Sequence, residues 1–333
     1  MKRVHYITGA AGYLGSWVAR YLLEAGESVR GLVLPGDPLA AHLPEGIEQV
    51  AGDLLKPDDL ARFLEVGQER ERLIIHCAGM ISMSMKPVQK VFDINVTGTS
   101  NLLALAEELK VRKFVHVSSV HALPELPHGQ TQREVKRFDP QPLVGAYAKT
   151  KAIASQAVMD AADRGLEACM IHPSGIFGPG DWAVGHFAQL SVDYAKGRMP
   201  AGVQGGYSFC DVRDVARAAI SALTKGERGE GYIVASYYVT VRQIFDALHA
   251  QLGGRPVRLM LPLWLARLAL PIFWLYYRLS GKRQVVTSYA LYTLGANGDF
   301  DNSKARRQLG FDPRSFEESM RDSVAWLREV GKI

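Results

Sequence analysis

Tyr147 and Lys151 stand four residues apart in Tyr147-Ala148-Lys149-Thr150-Lys151. A helix would put both side chains on one face. A phenol titrates near pH ~10 in water and needs help to exchange a proton near neutrality. A neighbouring ammonium stabilises the phenolate and lowers that pKa. The pair therefore suits proton transfer to or from a substrate oxygen. Ser119 closes an upstream apolar run, Phe114 to Val117 followed by Ser118-Ser119, and adds a hydroxyl that can hold the same oxygen.

The elements that must position these groups start at Val4-His5-Tyr6-Ile7-Thr8-Gly9-Ala10-Ala11-Gly12-Tyr13-Leu14-Gly15. A β-branched-rich run ends in glycines and passes into a segment with apolar Leu14, Trp17, Val18, Tyr21 and Leu22 at helical spacing, which predicts strand, tight turn and helix. Gly9 permits the turn, Gly12 a close approach of backbone to a diphosphate, and Gly15 close packing of helix on strand. The free N–H groups at the helix start would hold the negative charge. Further strands are expected at Ser28–Leu34, Ile47–Ala51, Leu73–His76, Phe114–Val117 and Ala168–His172. Helices are expected at Asp58–Leu64, Val88–Leu109 and Tyr147–Arg164. Alternation of this kind builds a parallel, doubly wound α/β sheet, whose ligands sit beyond the carboxyl ends of the strands. The glycines, Asp53, Ala78, Ser119 and Pro173 all fall at those ends. After Gly180 the pattern loosens, with helices at Asp211–Leu223, Gln243–Leu252 and Phe316–Val330 and a strand at Gly231–Ala235.

At 333 residues, 47% hydrophobic and 22% charged, the composition is that of a globular protein of one large domain or a domain plus a smaller lobe. The net charge of +5 is scattered, with no basic stripe, which argues against a nucleic-acid partner. Cys77, Cys169 and Cys210 are odd in number and lie in apolar runs, as buried reduced thiols of a cytoplasmic protein do. The histidines show no metal-ligand spacing, so no metal is expected. The strand that follows Met1-Lys2-Arg3 is too short for a signal peptide.

With these motifs in order, the chain resembles an extended short-chain dehydrogenase/reductase of the NAD-dependent epimerase/dehydratase kind. That group contains sugar-nucleotide epimerases, dihydroflavonol reductases and 3β-hydroxysteroid dehydrogenases. The resemblance covers almost the whole chain. It rests on the Gly9–Gly15 turn, Gly52-Asp53-Leu54, His76-Cys77-Ala78-Gly79, Asn95-Val96-Thr97-Gly98-Thr99 with Asn101, and Val117-Ser118-Ser119. It continues through Tyr147 with Lys151, Pro173-Ser174-Gly175-Ile176-Phe177-Gly178-Pro179-Gly180, Asp211–Ala216, and Phe300–Ala305 with Leu309-Gly310-Phe311. It implies a Rossmann sheet over residues 1–180, to which 207–250 partly return. A smaller, mostly C-terminal substrate lobe would comprise 181–206 and 251–333.

The resemblance also implies roles. Gly9, Ala11, Gly12, Tyr13 and Leu14 would carry the diphosphate of NAD or NADP. Asp53 and Leu54 would contact the adenine. Cys77, Ala78 and Gly79 would line the path to the nicotinamide, with Asn95 holding a loop beside it. Pro173, Ser174, Gly175 and Ile176 would border the nicotinamide ring, and Lys151 would also bond its ribose. Ser119 would orient the substrate oxygen and Tyr147 would give or take its proton while hydride passes to or from the cofactor. Asp211 and Asp214 are expected to cap a strand–helix junction.

Two departures from the pattern matter. At the end of the second strand the acid of NAD-preferring relatives is replaced by Val33, and the arginine of NADP-preferring ones by Leu34. Asp37 or Arg30 would have to substitute, and the missing cation favours NAD. Tyr207 and His172 occupy the positions where nucleotide-sugar epimerases place an arginine and an asparagine, which speaks against a sugar-nucleotide substrate. The apolar run Leu259–Leu279 is as long as a membrane span. Pro262, Pro271, Arg267 and Arg278 oppose a single spanning helix. Helices covering an apolar pocket, or a peripheral lipid-surface patch with Trp264, Trp274, Tyr276 and flanking Arg255, Arg258, Lys282 and Arg283, are the other readings. The expected activity is hydride transfer between NAD(P) and a bulky apolar secondary alcohol or ketone, by a homodimer pairing helices 88–109 and 147–164. The alternatives are a nucleotide-sugar epimerase/dehydratase and a non-catalytic NAD(P) sensor.

Overall fold

The structure, a computed structural model, describes residues 2–65, 70–272, 275, 278 and 286–333. In chain order its strands are β1 (Lys2–Thr8), β2 (Ser28–Val33), β3 (Glu48–Ala51), β4 (Arg70–His76), β5 (Lys113–Val117), β6 (Ala168–Pro173), β7 (Gly175–Phe177), β8 (Gly202–Val203), β9 (Gly206–Asp211), β10 (Gly231–Val234), β11 (Tyr237–Thr240) and β12 (Met260–Leu261). Seven of them form one sheet in the order β10-β6-β5-β4-β1-β2-β3, every neighbour parallel. The order reverses between β1 and β4, which opens a crevice at their carboxyl ends where a ligand can enter. Gly9 and Cys77–Gly79 follow those two ends directly.

The helices are α1 (Tyr13–Glu24), α2 (Pro57–Leu64), α3 (Gln89–Phe92), α4 (Gly98–Glu108), α5 (Ala146–Asp163), α6 (His186–Ala195), α7 (Val212–Lys225), α8 (Val241–Leu252) and α9 (Leu263–Leu268), then Ser288–Gly295, Ser303–Leu309 and Phe316–Glu329. Side chains of α2, α4 and α5 bury one face of the sheet, and those of α1, α7 and Ser303–Leu309 the other. Both faces are thus covered, as the near-continuous apolar runs of the strands require. Asp211 caps α7 as expected, accepting from the Arg213 N–H at 2.8 Å, and the Arg213 guanidinium bridges Asp211 and Asp322. Arg314 pairs with buried Asp214, so two ion pairs clamp the closing helix region to the sheet layer.

The structure differs from the sequence pattern in three places. The helix expected over Val88–Leu109 is interrupted by a π turn at Asp93–Thr97. Such turns are rare and cluster at functional sites, and this one carries Asn95. β7, β9 and β11 form a separate three-stranded sheet in a stretch whose glycines obscure the alternation. Those glycines are there for space: a Cβ on Gly206 would lie 2.6 Å from the Val239 carbonyl oxygen. Phe177, Tyr194, Phe245, Phe316 and Met320 pack a second apolar core beside this sheet. Finally, the 259–272 segment holds a short strand, α9 and the helical residues 270–272 rather than one long helix, and Leu259, Trp264, Leu268 and Ile272 face solvent. Trp274, Tyr276, Lys282 and Arg283 lie outside the described residues.

The turn between β1 and α1 has no slack. Gly9 sits at φ +65°, and a Cβ on Gly15 would come 2.1 Å from the Gly9 carbonyl oxygen. Gly15→Ala must therefore push helix from strand, and chemical denaturation should show a loss of about 3 kcal/mol or more. An unchanged midpoint would contradict this packing.

Candidate active site

The start of α1 is a cradle for an anion. Gly12 is its N-cap and offers no side-chain hydrogen bond, and the first turn contains no acid, so the helix N–H groups there are served by no cap. A Cβ on Gly9 would lie 2.8 Å from the Ala78 backbone, so this turn and the turn after β4 close against each other. Ser174 adds a buried hydroxyl with no partner among the described residues, at the carboxyl end of β6. The open helix start and the switch-point crevice fit the dinucleotide that the resemblance implies.

A chain of buried polar groups ties that cradle to α5, and its directions can be worked out. The Thr99 hydroxyl donates to the Asn95 carbonyl at 2.7 Å, so it must accept from His76 Nε2–H at 2.9 Å. His76 Nδ1 is then the acceptor, and takes the Thr8 hydroxyl proton at 2.6 Å. Burial holds the His76 pKa down to about 3, so the imidazole stays neutral and this tautomer is fixed. Asn95 Oδ1 accepts from the Met80 N–H at 2.7 Å. Its Nδ2 donates to the Met80 carbonyl and to Thr150 Oγ1, each at 3.0 Å. Thr150 in turn donates to the Tyr147 carbonyl at 2.9 Å. Asn95 thus holds the loop after Gly79, as expected. Thr8, His76, Thr99 and Thr150 were not singled out from sequence, because nothing in spacing marks them.

Ser119, Tyr147 and Lys151 come together at the ends of β5 and α5. Ser119 Oγ accepts from the His121 N–H at 3.2 Å and hydrogen-bonds the Tyr147 phenol. The electrostatics differ from the expectation that Lys151 acidifies the phenol. Lys151 is 4% exposed and its Nζ donates to the Val117 carbonyl at 2.8 Å. Burial lowers its pKa to about 8 and raises that of Tyr147 to about 12, against which the Ser119 hydrogen bond acts. At neutral pH the phenol therefore holds its proton.

Other expected contacts fall into place unevenly. Asp53 Oδ1 accepts from the Leu55 N–H at 2.9 Å, an Asx turn at the end of β3. The Leu54 side chain is buried against Gly98, and its carbonyl accepts from Asn101 Nδ2 at 3.4 Å. Cys77 is a free thiol whose pKa burial pushes up to about 12, so it is inert. Pro173 and Ser174 are buried at the β6 end, with Gly175 and Ile176 half-buried in β7. Asp37 caps the turn that follows it, and Arg30 is engaged by Glu48 at 3.1 Å and by the Glu65 carbonyl. Arg30 is thus engaged elsewhere, and Asp37 uses one carboxylate oxygen for its cap. Near Tyr147 stand three aromatic groups that no spacing in the sequence connects. The His121 ring lies 6.0 Å from that of Tyr147, 5.7 Å from Tyr207 and 5.9 Å from Tyr289.

The Lys151 shift has a consequence for stability. The folded amine titrates near 8 and the unfolded one near 10.5, so between these values the unfolded chain holds more protons and stability rises with pH. Below pH 8 the buried ammonium costs of the order of 3 kcal/mol. Lys151→Met should equal or exceed wild type in urea unfolding at pH 7, and lose that advantage as pH rises to 10. A gap that does not move with pH would refute the burial effect.

Residues 5–235 match the model of the NAD dependent epimerase/dehydratase family. Sterol demethylase protein B of Methylococcus capsulatus is 34% identical, with 98% of this chain and 99% of that protein covered. A 3-beta-hydroxysteroid dehydrogenase of Mycolicibacterium neoaurum is 25% identical, covering 97% and 91%. Among solved structures, that of gox2253 superposes with a TM-score of 0.84 at 32% identity over 99% of both chains. WbmH of Bordetella bronchiseptica, crystallised with NAD+, shares the fold at a TM-score of 0.77 and 21% identity, over 99% of this chain and 100% of that one. With a cradle for the dinucleotide and a hydroxyl pair at the sheet's ligand end, this chain belongs to the NAD-dependent epimerase/dehydratase family and is an NAD(P)-dependent short-chain oxidoreductase.

Proposed function

We propose that the protein reduces a bulky, uncharged, largely apolar ketone to the secondary alcohol, with Ser119, Tyr147 and Lys151 as its catalytic residues. One observation carries the substrate class. A cavity of about 50 Å³, too small as it stands for a bulky ketone, shows the character of the wall near the catalytic groups. Val120, His121, Leu143, Tyr207, Tyr292 and Phe300 line it, with Gln132, Thr293 and Asn297 as neutral polar members. Its lining holds no lysine or arginine, and Glu125 is its charged side chain. A diphosphate brought there would be desolvated without a counter-charge. The steroid and sterol names of the two relatives support the same class.

Bound NAD(P)H supplies the hydride. Its holders are the residues assigned from the family pattern: Gly9, Ala11, Gly12, Tyr13 and Leu14 at the diphosphate, Asp53 and the Leu54 backbone at the adenine, and Cys77–Gly79, Asn95 and Pro173–Ile176 along the path to the nicotinamide. Arg30, paired with Glu48, leaves NAD favoured over NADP. Ser119, its rotamer fixed by the His121 N–H, hydrogen-bonds the substrate carbonyl. Tyr147, protonated at neutral pH, donates to the oxygen as charge develops there. Lys151, anchored on Val117, keeps a positive charge near the reaction below pH 8 and bonds the ribose. Residues 1–180, with 207–250 partly returning, form the cofactor side. Residues 181–206 and 251–333 form the substrate side.

We place the enzyme in the cytoplasm as a homodimer through helices 88–109 and 147–164, consistent with its free cysteines and the exposed Phe92. Among the described residues no helix is long and apolar enough to cross a membrane. Trp264, Leu268 and Ile272 are nevertheless 64%, 69% and 71% exposed, with Arg255, Arg258 and Arg267 exposed beside them. This face suits the surface of an anionic bilayer.

Purified enzyme should consume NADH with apolar cyclic ketones, and Tyr147→Phe should lower kcat about 1,000-fold with the NADH dissociation constant within twofold of wild type. Near-normal turnover in the variant refutes the assignment, and tightly retained cofactor with no net NADH change points to an epimerase. Leu268→Glu/Ile272→Glu should abolish flotation with phosphatidylglycerol vesicles and leave turnover intact. Wild type that fails to float removes the membrane contact.

A further inference from the structure

We propose that His121 is a positioning residue that makes the enzyme prefer ketones bearing a second, uncharged oxygen. The inference rests on the reductase reading and deepens it. His121 Nε2 contacts the Tyr207 hydroxyl at 2.6 Å and Nδ1 contacts the Tyr289 hydroxyl at 3.4 Å. The three residues come from distant parts of the chain: the loop after β5, β9, and the helix Ser288–Gly295. Two glycines give the tyrosines room. A Cβ on Gly175 would lie 2.8 Å from the Tyr207 ring, and one on Gly145 only 2.5 Å from that of Tyr289. Gly145, at φ +90°, is the N-cap of α5 two residues before Tyr147. The cluster is therefore built into the wall next to the reacting groups.

Counting protons shows what this wall offers. Burial holds the imidazole neutral and both phenols protonated. The three groups own three protons, one N–H and two O–H. Their two mutual contacts use two of these. If Nε2 accepts from Tyr207, Nδ1–H donates to Tyr289 and the Tyr289 proton is left over. In the other tautomer the Tyr207 proton is left over. Either way one phenol proton remains to be donated. The reacting carbonyl is already served by Ser119 and Tyr147, so the spare donor suits a different oxygen of the same molecule. With no cation in the cluster that oxygen is a neutral ketone, hydroxyl or ether, not a carboxylate or phosphate. An apolar wall with one pre-set donor discriminates mainly against the analogue that lacks the acceptor, which leaves the donor unpaired.

Steady-state kinetics with decalone and decalindione, a bicyclic ketone with one oxygen and its counterpart with two, test this. Wild type should show a KM for the diketone about tenfold below that for the monoketone. His121→Phe should raise the ratio of the diketone KM to the monoketone KM about tenfold, with NADH affinity within twofold. His121→Gln, which can bond both tyrosines, should restore most of the difference. Tyr207→Phe/Tyr289→Phe, which keeps both rings, should behave as His121→Phe does and stands in for it if that variant does not fold. A loss shared equally by both ketones, or one that glutamine does not repair, overturns the proposal. Wild-type enzyme that reduces both ketones with one KM defeats the role of His121 alone. Wild-type enzyme that reduces neither defeats the reductase reading itself.

Discussion

The neutral His76 imidazole is the group on which the rest of the site depends. It lies at the end of β4 with no exposed surface, and bonds Thr8 from β1 on one side and Thr99 from α4 on the other. Through Asn95 and Thr150 the same chain reaches the first turn of α5. Each donor in it has one acceptor, so the parts are keyed to each other and not merely packed together. In a low-dielectric interior such a network is strong when complete and costly when broken. The diphosphate cradle and Tyr147, which belong to different layers of the sandwich, are held in register by this path.

Tyr147 and Lys151 show a second constraint, the cost of keeping ionisable groups dry. Each is pushed toward its neutral form, the phenol up and the ammonium down. A phenol in that state holds its proton at neutral pH and is a weaker acid than a free tyrosine. The neighbouring cluster of His121, Tyr207 and Tyr289 is shifted in the same sense by the same burial. The cluster thus offers uncharged donors close to the Lys151 ammonium, where the sign of a ligand's charge matters as much as its shape.

Much of this was legible in the residues. Gly9, Gly12 and Gly15 report their turn because a side chain at each would strike backbone, a local fact. The period of the apolar residues gave the seven parallel strands within a few residues, β10 included. The four-residue spacing put Tyr147 and Lys151 on one helix face. What it could not give was the partner of Lys151, because a backbone carbonyl at the end of β5 has no letter in the sequence. The same holds for the contacts of His121, whose tyrosines lie 86 and 168 residues away. The π turn at Asn95 escaped for a related reason: its apolar period reads as ordinary helix, and the extra residue in the turn shows only in the hydrogen-bond ladder.

The space left by Gly145 has a temporal meaning. Its absent Cβ is replaced by the ring of Tyr289, so the start of the helix that carries Tyr147 is moulded by a segment near the other end of the chain. During synthesis the ribosome releases β1 through α5 long before it makes that segment, and domains generally form in the order in which they emerge. The sheet can thus assemble, and the Gly9 turn with it, before the segment that packs on Gly145 exists. A nascent chain stalled after the sheet would have the start of α5 without the Tyr289 ring that packs on Gly145. The start of the helix that carries Tyr147 is then packed in full only once the last part of the polypeptide docks.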